Sequence, residues 1–103
     1  MEFIKIYDEE MPFRFGLRAL KKLEASVGVE IFQKIIGGEA PSFGESVTLA
    51  ESILFIGLSE GARKAKEKFT LKKVDVEDIL DDGGTEFLGE VMALFEKAVS
   101  SPK

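Results

Sequence analysis

Five carboxylates crowd the stretch Asp75-Val76-Glu77-Asp78-Ile79-Leu80-Asp81-Asp82, and carboxylates at that density can hold a hard cation or work as an acid–base pair. Neither chemistry fits the spacing. Asp81-Asp82-Gly83-Gly84-Thr85-Glu86 lacks the alternating oxygen ligands of a calcium loop and its closing Glu. An acid pair would need a partner group or a pocket signal, and none is visible. The segment reads as a solvated helix start followed by a turn.

A second cluster, Arg63, Lys64, Lys66, Lys68, Lys72 and Lys73, brackets Phe69. Cations interleaved with an aromatic are the pattern of a nucleic-acid strip, where the ring stacks on a base. The cluster is local, however, in a chain with nineteen acids against fourteen bases and a net charge of −5. That balance opposes binding to nucleic acid and leaves a solvated face, or a docking point for an acidic partner, as the better reading. Gly37-Gly38 and Gly83-Gly84 lack the Gly-Lys-Ser/Thr continuation of a phosphate loop, and no serine sits in a Gly-x-Ser-x-Gly elbow. The chain has no histidine and no cysteine. Triads built on His, His-containing zinc sites and thiolate chemistry are therefore excluded, and no cofactor is expected. The reading is of a protein that is not an enzyme.

The elements that would position these groups follow from periodicity. Ile4 and Ile6 share one face of a short strand, Tyr7 to Pro12 reads as a polar connection, and Phe13 to Phe15 as a second strand. At Gly16 the period changes: Leu17, Leu20 and Leu23 recur at helical spacing to about Val27. Gly28 breaks the helix, and Val29, Phe32, Ile35 and Ile36 resume it. Gly37 to Gly44 is a loop. The next helix begins near Gly44 to Ser46 and reaches Lys66 or Lys68, apolar nearly all round in its first half and hence central. Asp75 is placed to cap a short helix in which Val74 can staple against Ile79; Gly83-Gly84 end it, and Thr85 caps a last amphipathic helix. The expected fold is mainly α: a small helical domain of four to five helices with a short N-terminal β-hairpin. The chain reads as a single domain over 1–103, with the hairpin in 1–16, the helical body in 17–99 and a frayed tail in 100–103.

At 103 residues, 45% hydrophobic and 32% charged, the composition is that of an ordinary globular domain. The N-terminus lacks the basic head and long apolar run of a signal peptide. Ser52 to Leu58, the longest apolar stretch, is far short of the ~20 residues of a membrane span. A soluble, cytoplasmic protein is expected. Nine phenylalanines are a generous number, and most must be core; that they all close the core is the plainer reading. Phe32, Phe43 and Phe55 are the hardest to assign to it, and with Ile36 they are the candidate partner-binding residues.

The order and spacing of these motifs resemble one family. A short hairpin leads into Phe15-Gly16-Leu17-Arg18-Ala19-Leu20-Lys21-Lys22-Leu23-Glu24. Leu49-Ala50-Glu51-Ser52-Ile53-Leu54-Phe55-Ile56-Gly57-Leu58 follows, then Val74 to Asp82 and a last helix ending Leu94-Phe95-Glu96-Lys97-Ala98. Over nearly its whole length the chain resembles the tail assembly chaperones of long-tailed bacteriophages and prophages, especially those of Gram-positive-type phages. The resemblance implies a non-enzymatic protein that binds the aggregation-prone tape measure protein, helps recruit tail tube subunits and is absent from the mature virion. It supplies no catalytic residues. Some relatives gain a C-terminal extension by ribosomal frameshifting, and the ending Ser100-Ser101-Pro102-Lys103 would suit a short form. Self-association along a long client is a further expectation. The rival reading is a small acidic regulatory module of a mobile element, anti-restriction or antitoxin-like. Its acids would cover one surface, which the basic stretch from Arg63 to Lys73 interrupts. A small hydrolase would need converging polar groups that the sequence does not show.

Overall fold

The structure, a computed structural model, describes residues 2–100. Strands β1 (Glu2–Ile6) and β2 (Glu9–Phe13) pair antiparallel, with Glu2 opposite Phe13, Ile4 opposite Met11 and Ile6 opposite Glu9. They are followed by helices α1 (Leu17–Val27), α2 (Val29–Ile36), α3 (Phe43–Ala65) and α4 (Lys73–Ser100). The expected mainly helical fold with an N-terminal hairpin is therefore present. The tail expected at its end lies, from 101 to 103, outside the described residues, and α4 includes Ser100.

The hairpin differs from its sequence reading. The connection is a two-residue turn, Tyr7-Asp8, with φ of 49° and 65°, the left-handed geometry whose twist matches paired strands. The second strand starts at Glu9 instead of Phe13 and ends where it was expected to begin. Two adjacent glutamates read as loop, yet both remain exposed in the strand, and Glu10 stands opposite Lys5 as a favourable cross-strand pair. Phe15 is past the strand. Its buried ring meets Phe95 edge-on at 5.1 Å and lies 6.0 Å from Phe13, so the chain's exit from the hairpin is clamped to α4.

α3 is the central element. Leu49, Ala50, Ile53 and Leu54 are wholly buried, and the helix packs against β2, α1 and α4. Ser42 and Glu45 start it with a reciprocal capping box: the Ser42 hydroxyl accepts from the Glu45 amide at 3.2 Å and the Glu45 carboxylate from the Ser42 amide at 3.0 Å. It ends at Lys66 in the left-handed conformation. β2 crosses α3 at Gly57 and Gly61. A Cβ on Gly57 would stand 2.1 Å from the Phe13 ring, and one on Gly61 would stand 2.2 Å from the Pro12 carbonyl oxygen. The close approach lets the Arg14 amide donate to the Gly57 carbonyl at 3.1 Å.

α1 lies along α3 by a polar seam as well as through buried Ala19 and Leu23. Arg18, Lys22 and Ser26 form one i, i+4, i+8 stripe, facing Glu60 and Ser52 in reverse order. The two helices thus run antiparallel, and the seam spans about 12 Å at 1.5 Å per residue. α4 is broken at Gly84, whose φ of 70° and ψ of −166° interrupt the helix where the glycine pair predicted a stop. Asp75 caps a free backbone amide at the start of α4, as expected. It sits inside the first turn and accepts from the Lys72 amide at 2.7 Å, the inward half of a capping box. Val74 remains 56% exposed, whereas Ile79 is buried.

Candidate functional site

Part of the apolar surface left over after core packing lies on α2 and at the start of α3, where Val29, Ile36 and Phe43 are exposed; Phe3, Tyr7, Leu17 and Val74 are exposed elsewhere. α2 carries Val29, Ile31, Phe32, Ile35 and Ile36 on eight residues, yet none of them is buried. The helix packs against α1 and is tied to the first turn of α3 by the Lys34–Glu45 pair at 3.8 Å. Gly28, with φ of 96°, turns the chain between α1 and α2 without the steric cost a side chain would bring. Ile36 and Phe43 are 57% and 68% exposed.

Phe43 also walls a cavity of about 490 Å³ between α3 and the broken middle of α4. Val47, Leu80 and Leu88 supply its other apolar walls, and Glu51, Glu77, Asp78 and Asp81 its charge. No cation lines it among the described residues. Partial burial, followed by repulsion from Glu77, pushes the Glu51 carboxyl above its ordinary value, with Lys73 opposing. The cavity is an acid-rimmed trough with aliphatic and aromatic walls. No group of His, Cys, Asp or Glu among the described residues is arranged to hold a metal ion.

The four candidate partner-binding residues do not form one cluster of like exposure. Ile36 and Phe43 are open, whereas Phe32 and Phe55 are half-buried. The Phe55 ring meets Phe69 edge-on at 5.5 Å. Phe69, the aromatic that might have stacked on a base, is thereby used in packing. Arg63 is drawn from the basic stretch into an ion cluster, and Lys66 to Lys72 form the turn between α3 and α4.

That cluster is the feature the sequence reading missed. Glu60 is only 2% exposed and accepts from Lys22 at 2.7 Å and from Arg18 and Arg63 at 3.2 Å each. Burial works to raise its carboxyl, but the three hydrogen bonds outweigh it and hold the group below its ordinary value. The cations keep their outer ends in water. The signal was present as an acid in the apolar stretch of α3, three residues before Arg63.

No family model, no curated protein and no solved structure matches the chain. No helix among the described residues is long and apolar enough to cross a membrane.

Proposed function

We infer that the chain is a non-enzymatic tail assembly chaperone of a long-tailed phage or prophage. It binds the tape measure protein, keeps it soluble in the host cytoplasm, and helps bring tail tube subunits to it. The reading rests on the resemblance in motif order. The observation that carries it is the unburied apolar surface of α2, continued at Phe43.

Helices normally gain stability by burying such a face. Ile31, Phe32 and Ile35 are already half-buried against the core, but Val29 and Ile36 are more than half exposed and have burial free energy still to gain from a client. A tape measure protein offers long apolar helical surface, and a helix laid against exposed apolar side chains is an established recognition mode. The chaperone's net charge of −5 would keep the covered complex dispersed.

Co-expression tests the reading. The tape measure protein from the same phage genome should move from the insoluble to the soluble fraction when this chain is present, and should co-purify with it. A client that stays insoluble and fails to co-purify would refute the assignment.

A further inference from the structure

Resting on the reading above, we propose that the α3–α4 trough receives an amphipathic client helix whose apolar stripe is flanked by lysine or arginine. The walls argue for the helix. Phe43 and Leu88 border a cavity of about 490 Å³ that is open to solvent and large enough for successive side chains of one helical face.

The rim argues for the charge. Glu51, Glu77, Asp78 and Asp81 line the trough, and no lysine or arginine lines it among the described residues. Repulsion between Glu51 and Glu77 is unrelieved in the free chain apart from Lys73. A cation entering between them relieves it, whereas an acidic flank adds to it. The same trough therefore discriminates between two helices of equal hydrophobicity.

The test uses the intact chain and two synthetic helical peptides of about five turns. They share one Leu/Ile/Phe stripe, flanked by lysine in one and by glutamate in the other. By fluorescence anisotropy at about 0.1 M salt, the lysine-flanked peptide should bind about tenfold more tightly, from several rim ion pairs acting together. The double variant Glu77→Lys/Asp81→Lys should lose or invert that preference. Glu9→Lys/Glu67→Lys makes the same change in net charge at exposed positions away from the trough and should retain it. Should the trough variant fail to fold, amide shift mapping on the wild-type chain should place the lysine-flanked peptide against Phe43, Val47 and Leu88. Equal binding, no binding of either peptide, equal loss in both double variants, or a mapped site elsewhere would overturn the proposal. If discrimination is absent while the tape measure protein still co-purifies, this inference falls and the chaperone reading stands. Discrimination without client capture gives the converse.

Discussion

Glu60 shows how one side chain can hold two elements in register. A carboxylate taken from water is costly unless its lone pairs are used, and here two cations from α1 and one from α3 use them. Because Arg18, Lys22 and Arg63 remain half-exposed, they can rehydrate when the acid is lost. Glu60→Gln should therefore cost about 1.5–3 kcal/mol at neutral pH, the range for charged hydrogen bonds, below the penalty of stranding a fully buried ion. The sign of its pH dependence follows from the lowered carboxyl. Its contribution is present above the ordinary carboxylate value of 4.5 and is lost as pH falls through that value toward the folded one. Urea midpoints for the two proteins should converge below pH 4.5 and stay apart at pH 7; a gap independent of pH would show that the carboxylate's charge is not what matters.

At the level of elements, the crossing of β2 over α3 depends on two missing side chains. Gly57 faces the wholly buried Phe13 ring, and Gly61 faces the Pro12 carbonyl, which cannot move without displacing the strand. Gly61→Ala should destabilise the chain by about 1–3 kcal/mol, the usual cost of overpacking. Gly89→Ala, with nothing within 4 Å of the added carbon, should instead stabilise it by up to about 1 kcal/mol through helix propensity. Thermal melts of the pair check both signs, and equal effects would contradict the packing account. The helices were legible because their cues are local: glycine at Gly28 and Gly84, the all-round apolar run in α3, leucines at helical spacing in α1. β2 was misplaced because its stability lies in partners. Glu9 and Glu10 have poor strand propensity, and the register to β1 with the contact to Gly61 overrides it. The Glu60 cluster was hidden for the same reason, since two of its three cations, Arg18 and Lys22, come from positions about forty residues away.

For the whole molecule, the division of labour runs from one side of α3 to the other. The hairpin, α1, the buried length of α3 from Leu49 on and the inner face of α4 hold the dense interior around Phe13, Leu23, Ile53 and Val91, all wholly buried. Val29 and Ile36 of α2, Phe43 and the trough along α4 leave apolar and acidic surface open to solvent. Of the residues named from sequence for partner contact, Ile36 and Phe43 are on this open side, and half-buried Phe55 is engaged with Phe69. Periodicity ranks apolar positions but cannot separate a ring that finds a neighbour from one that does not. The most direct measurement is client capture by the double variant Ile36→Asp/Phe43→Asp, with folding monitored by thermal melting. Both side chains are more than half exposed, so the melt should change by no more than the roughly 0.5 kcal/mol typical of surface substitutions. The account predicts that the wild-type chain holds the tape measure protein in the soluble fraction and that the equally stable variant does not. A variant that holds the client as well as the wild-type chain would contradict it.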